Sequence, residues 1–356
     1  MLSNLVVCYL FLGGAGGGAC MVLSVLGLLS PRDAIAAACS SRGGAALANA
    51  AAFSDGSARL RANASVCCQP VVWRFAPVGM YRRLFVSGHT ASLIALALGA
   101  FCLVADLARS DRVALLFLSP TPTFITMGTW LLVAALSLTC VTLLMWGSAN
   151  GARFALVRIV QALSCVVGLG VILYTGLLLQ GIAAVPLWAT PWLPILFVLS
   201  SVSCGVALVL LSSYAAGALS AFESVMRRLL TADILVIALE ALATILLVAA
   251  SLHGVSPLNA ANGLGFANNP TDAAAIASAG ELLCGANAWV FWLCFVATGL
   301  VIPLILECIS LNDSRKRPAI ACVIACCVLL GGFAMRYCVI MAGLHPVAVS
   351  AMMFLG

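Results

Sequence analysis

Charge is the scarcest property of this sequence. Asp, Glu, Lys and Arg together make up 8% of its 356 residues, whereas 64% of the residues are hydrophobic. Soluble domains carry about 25% charged residues, so this composition excludes a soluble globular protein. The net charge of +6 at pH 7 does not indicate nucleic-acid binding, because the arginines are distributed by membrane topology. The protein therefore works in or beside a membrane.

Eight apolar stretches are each about long enough to cross a bilayer, which takes about 20 residues of helix. We predict an all-α integral membrane protein that forms one polytopic domain over residues 1–356. The predicted spans lie near residues 4–29, 85–107, 124–146, 155–179, 192–214, 229–252, 287–307 and 319–343.

Arginines cluster in the connections on one side of these spans. The longest connection, an Arg-rich loop over residues 30–84, lies on that side. The positive-inside rule makes it cytoplasmic and places both termini outside. The loop over residues 253–286 is then also outside, and we predict a short interfacial helix within it that starts at Thr271 or Asp272.

Two further shortages limit the redox groups that the chain could hold. The 16 cysteines include no Cys-x-x-Cys pair, which argues against zinc and Fe–S ligation. The three histidines (His89, His253 and His345) lie near span ends, whereas a haem between helices needs axial ligands at membrane depth. We therefore expect no haem and no metal in this chain.

Charged groups at membrane depth are costly and indicate function. Glu240 in the sixth span and Arg336 in the eighth are the clearest candidates. They could belong to a proton path or form a structural ion pair between helices. Asp233 and Glu307 lie closer to span ends, where we expect them to reach the interface.

A second group of candidates lies at the outer end of the bundle. Asp106 closes the second span, Arg109 follows it, and Tyr174 lies near the outer end of the fourth span, with Tyr9 in the first. A quinone head group needs hydrogen-bond partners for two carbonyl oxygens inside an apolar slot, and these residue types meet that requirement. The Asp106 carboxylate could also accept a proton from a quinol.

Glycines crowd the first span. Gly13 and Gly17, like Gly14 and Gly18, are four residues apart, which predicts one helix face without side chains. Such a face lets a neighbouring helix approach closely. Alternatively, the bare face at Gly13 leaves room for a flat ring.

Several segments, taken in order, resemble the NrfD-like, polysulfide-reductase-type (PsrC- and DmsC-like) membrane subunits, which interact with quinone. The resemblance covers all eight spans and omits the Arg-rich loop. It rests on YLFLGGAGGGA (9–19), ADLARSDR (105–112), TMGTW (126–130), YTGLLL (174–179), PWLPILF (191–197) with the stretch 200–205, and GGFAMRY (331–337) with Ala342 and Gly343. Ala108 and Ser110 depart from the family's Asp-Leu-Gly-Arg-Pro.

The resemblance implies two four-helix bundles in a prokaryotic inner membrane. It implies exchangeable menaquinone or ubiquinone as cofactor, bound near Tyr9, Gly13, Asp106, Arg109 and Tyr174. It also implies a ferredoxin-like Fe–S partner and, through it, a molybdopterin catalytic subunit of anaerobic respiration.

Two other functions remain open at the level of sequence. One is a passive membrane anchor without quinone chemistry. The other is a proton or solute transporter, which is the weaker alternative because no clear internal repeat is present.

Overall fold

The computed structural model describes residues 4–30, 78–106, 124–147, 154–182, 185–217, 223–252, 270–312 and 318–355. Most of the Arg-rich loop, the residues 107–123 that contain Arg109, and the first half of the loop 253–286 lie outside the described residues. The predictions for these residues therefore stay predictions.

Helices account for nearly all of the described chain. They are α1 (Asn4–Leu29), α2 (Val78–Asp106), α3 (Phe124–Gly147), α4 (Phe154–Gln180), α5 (Trp192–Ala215), α6 (Glu223–Leu252), α7 (Pro270–Cys284), a π-helical segment (Val290–Val301) that continues as α8 (Ile302–Asn312), and α9 (Pro318–Leu355). Among the described residues, eight helical stretches are long and apolar enough to cross a membrane. The all-helical class and the presence of eight helices long and apolar enough to cross a membrane are confirmed.

The helices differ from the prediction mainly at their ends. α2 and α6 each begin about two turns earlier than their apolar stretches, and the short helix predicted from Thr271 or Asp272 is present as α7. The first half of the seventh span is π-helical, and there the Thr298 hydroxyl donates to the Leu293 carbonyl, five residues back, at 2.8 Å. Hydropathy marks the apolar part of a helix and does not show these features.

α1 is the central helix, because it packs along α2, α4 and α5. Gly14 and Gly18 share one bare face of α1, where a Cβ on either residue would meet Ser201 of α5, so the predicted close approach of a neighbouring helix is confirmed. The other glycines extend such contacts to α2 and α4. A Cβ on Gly16 would meet Leu96 of α2, one on Gly17 would meet Val171 of α4, and one on Gly18 would meet the α5 backbone. Because these glycines have no side chains, α1 is narrow on several sides. The three neighbouring helices α2, α4 and α5 can therefore approach its axis.

A very close crossing joins α1 to α5 at Gly18 and Gly205. A Cβ on Gly205 would contact the backbone of Gly18 and Ala19, and a Cβ on Gly18 would contact the Ser201 carbonyl. Because α1 packs on α5 as it does on α2 and α4, the division into two four-helix bundles stays a prediction, as does the location of the termini.

Arginines at the starts of even-numbered helices cap the carboxyl ends of other helices. Arg82 of α2 donates from Nε to the Trp146 carbonyl of α3 at 2.9 Å. Arg158 of α4 donates to the carbonyls of Leu28 and, at 2.8 Å, Ser30 after α1. Arg227 of α6 donates to the Leu311 carbonyl of α8. Since the last carbonyls of a helix have no partner within it, and a cation there also opposes the helix dipole, these arginines stabilise one end of the bundle.

The α1–α5 crossing predicts that Gly18→Ala destabilises the protein while Gly13→Ala does not. The new methyl group at residue 18 would overlap backbone atoms of α5, which cannot rotate away, whereas at residue 13 its nearest neighbour is a Tyr9 ring atom at 3.8 Å. Overpacking typically costs about 1–3 kcal/mol. Thermal unfolding of both variants in detergent would show the difference. Equal melting temperatures would contradict the crossing.

Candidate functional site

Tyr9 of α1 and Tyr174 of α4 face each other inside the protein. Tyr9 is 2% exposed and Tyr174 is 6% exposed, and their phenol groups lie within reach of a mutual hydrogen bond. The Tyr174 ring lies directly over Gly128 of α3, where any side chain would displace it. Gly13 is one turn of α1 beyond Tyr9. The structure thus brings together three of the predicted quinone-site residues.

The local sequence around Tyr174 explains its position. The Thr175 hydroxyl donates to the Ile172 carbonyl at 2.7 Å within α4. A Cβ on Gly176 would lie 2.7 Å from the Cα of Pro194, so glycine lets the end of α4 pack against the start of α5. The phenol is therefore held by close contacts of α4 with both α3 and α5.

Asp106 lies nearer to the end of the bundle than the tyrosines do. A Cβ on Gly99 of α2 would lie 3.2 Å from the backbone nitrogen of Gly13, so Gly99 and Gly13 lie at the same depth in the bundle. Asp106 follows Gly99 by seven residues, or about 10 Å of helix rise. It is the last residue of α2 and is partly exposed. Asp106 is therefore positioned between the tyrosine pair and the water at that end of the bundle.

Arg336 of α9 is fully buried at the centre of a second polar cluster. Its Nη1 donates to the Gly332 carbonyl at 2.7 Å and to the Ser200 hydroxyl at 3.3 Å, and its Nη2 donates to the Ser201 hydroxyl at 2.7 Å. Its Nε has no hydrogen-bond partner among the described residues. The guanidinium is thus held mainly by two serines of α5.

Aromatic rings and a glycine complete the Arg336 pocket. The guanidinium carbon lies 5.8 Å from the ring centroid of Phe11 and 5.4 Å from that of Phe197, at distances where a ring face attracts a cation. A Cβ on Gly14 would lie 2.8 Å from Nη2. Gly14 of α1 therefore leaves the space that the guanidinium occupies.

Glu240 of α6 belongs to the same cluster. Its carboxyl group lies beside the Ser200 hydroxyl and within electrostatic reach of Arg336. Since Ser200 also accepts a hydrogen bond from Arg336, a serine links the two charged groups. This arrangement agrees with either predicted role of Glu240 and Arg336, as members of a proton path or as a structural pair.

Sequence reasoning missed two further acids in this region. Asp233 and Glu307 are completely buried, so the expectation that they reach the interface is wrong. Each lies within hydrogen-bond reach of the other, and Ser203 of α5 lies beside Asp233. A signal was available: Asp233 precedes Glu240 by seven residues, or two helical turns, which places both on one face of α6.

The described residues contain no group of three His, Cys, Asp or Glu side chains that could hold a metal ion. His89 is fully buried in α2, where its ring lies 6.3 Å from that of Phe85. His253 lies outside the described residues, as does the side chain of His345.

Comparison with known protein families gives a match. The family described as "Polysulphide reductase, NrfD" matches residues 62–348, which is well over half of the chain. The match runs from within the Arg-rich loop to α9, so it leaves out α1 with Tyr9 and the glycine run. No curated protein matches the chain. The extent of the family match shows that the chain belongs to the NrfD family, whose members are membrane subunits of redox complexes and are generally linked to quinone.

Proposed function

We propose that this protein is the membrane anchor and quinone-binding subunit of a multi-subunit oxidoreductase. It would exchange electrons between the quinone pool and a docked ferredoxin-like Fe–S subunit of a molybdopterin enzyme. The observation that carries the proposal is the adjacent pair of buried phenols, Tyr9 and Tyr174, in a member of this family.

The residues around the pair suit a quinone head group. Two phenol hydroxyls can each donate a hydrogen bond to a carbonyl oxygen, and Gly13 has no side chain to crowd the ring. Bound menaquinone or ubiquinone would supply a carrier of two electrons and two protons. Asp106 would accept a proton and pass it to water, and Arg109 would position either Asp106 or the partner subunit.

The tyrosine pair and the capping arginines lie at opposite ends of the bundle. Tyr9 lies near the amino end of α1, whereas Arg158 caps the carboxyl end of that helix. With the arginine end cytoplasmic, as the positive-inside rule predicts, the quinone site and both termini face outward. The Fe–S partner would then dock on the outer side.

A passive anchor and a transporter are the competing functions. A passive anchor needs no buried phenol pair and would contain no quinone. A transporter needs polar groups at the bilayer midplane, and the Arg336 cluster supplies some. Neither alternative explains an adjacent pair of buried phenols enclosed by apolar helices near one end of the bundle.

Purification of the complex from native membranes, without separating the partners, is the first test. We expect extractable quinone together with a ferredoxin-like and a molybdopterin subunit. Fe–S and molybdopterin subunits without quinone would favour a passive anchor. The protein alone, without quinone or partners, would favour a transporter.

Asp106→Asn is expected to lower quinol turnover sharply while the complex still assembles. The amide cannot accept the proton, and positioned acid–base groups typically contribute about 10²–10⁴-fold to the rate. Quinol-dependent electron transfer by the purified complex would be measured, with subunit composition as the control. Turnover equal to wild type would remove Asp106 from the mechanism.

Tyr9→Phe and Tyr174→Phe are each expected to weaken quinone binding about fivefold. Each change removes one neutral hydrogen bond of about 1 kcal/mol and keeps the ring. Titration of bound quinone in detergent would measure the effect. Tyr214→Phe, at the other end of the bundle and 41% exposed, is the matched control. Equal affinities in all three variants would contradict the site.

A further inference from the structure

Asp233 and Glu307 are two buried acids, and among the described residues neither is hydrogen-bonded to a basic side chain. All four of their carboxyl oxygens lack a hydrogen-bond donor among the described residues. Each acid lies within hydrogen-bond reach of the other. An isolated pair of carboxylates in a dry interior would be very costly.

The geometry resolves this cost if the two acids share a proton. A carboxylate only accepts hydrogen bonds, so two carboxyl groups can bond to each other only when one of them carries a proton. Two negative carboxylates within hydrogen-bond reach of each other cannot both persist in a medium of low dielectric constant. The pair therefore holds a proton that can leave when a charge arrives nearby.

From this pair, polar groups continue along α6 towards the centre of the bundle. Glu240 lies two turns, or about 10 Å, beyond Asp233 on the same helix face. Ser203 of α5 lies beside Asp233, and Ser200 lies between Glu240 and Arg336. Arg336 contacts the Gly14 position of α1, five residues from Tyr9. These groups form a column, defined here as Asp233, Glu307, Ser203, Glu240, Ser200 and Arg336, which ends beneath the phenol pair.

The other end of the column meets a groove of about 410 Å³ between α1, α5 and α6. Among the described residues, Asp233 and Arg228 are its charged lining residues, and the rest of the described wall is apolar. It reaches Leu29 and Val225, at the end that the arginines cap. Apolar walls exclude water most of the time, and such constrictions gate by wetting and drying.

We infer that the column is a proton path between the arginine-capped side of the membrane and the quinone site. The Asp233–Glu307 pair is the site where protons enter this path, and it is called here the loading station. This inference rests on the proposed function. Quinone reduction would take two electrons from the Fe–S subunit on the outer side and two protons through the column from the arginine-capped side, whereas quinol oxidation would release its protons to the outer side through Asp106. Since electrons stay on the outer side while protons cross through the column, quinone reduction would generate a membrane potential.

The shared proton can be tested in the protein without any turnover. We expect an infrared C=O stretch of a buried protonated carboxyl group that is absent from Asp233→Asn and from Glu307→Gln. Glu281→Gln changes an acid of α7 outside the column and should keep the band. A wild-type protein without this band would overturn the loading station, whether or not the variants fold.

Proton transfer can be tested with the whole complex in proteoliposomes, where quinone reduction and membrane potential are measured together. We expect wild-type and Glu281→Gln complexes to generate a potential and both loading-station variants to lose it. Wild-type turnover without a potential, or a wild-type potential in both variants, would overturn the path and leave the quinone site intact. A wild-type complex that neither binds nor converts quinone would instead overturn the proposed function.

The groove offers a separate test of access. Ala232→Phe places a ring in its wall, and Leu235→Phe places the same ring on an exposed part of α6. We expect only Ala232→Phe to lose the potential. Loss in neither variant would exclude the groove as the entrance.

Discussion

The rest of the structure depends on the contact between α1 and α5 at Gly18 and Gly205. Without side chains at these two positions, the helix backbones touch. In a bilayer, where lipid tails are as apolar as leucine, such close packing is a main source of helix association. The contact also fixes the depth of α5 relative to α1. That depth sets Ser201 against Gly14 and thereby places the Arg336 guanidinium.

Several arginines find hydrogen-bond partners inside the protein, both at the end and at the centre of the bundle, because lipid offers none. At one end, Arg82, Arg158 and Arg227 bind carbonyl groups that helices leave open. At the centre, Arg336 binds two serines and a carbonyl group. The arginines that indicate membrane topology in the sequence therefore also cap helices in the structure.

The sequence was sufficient for the spans, since hydropathy over about 20 residues decides which helices cross. It also placed Tyr9 and Tyr174 near a common depth. The sequence could not show which buried polar residues contact each other. Asp233 and Glu307 are distant in the chain, and only the packing of α6 against α8 makes them neighbours. The glycine run shows a similar limit, because spacing predicts which residues share a face but not that three helices surround α1.

The two polar regions are separated by little more than the thickness of α1. Gly13 lies beside the Tyr9 ring and Gly14 lies beside Arg336, so adjacent residues of one helix border the phenol pair and the charged column. A side chain at residue 14 would displace the guanidinium, whereas a larger group at residue 13 would enter the space next to the phenols. The glycine run therefore serves two purposes at one depth. It lets helices meet closely, and it keeps a buried charge near enough to influence chemistry at the tyrosines.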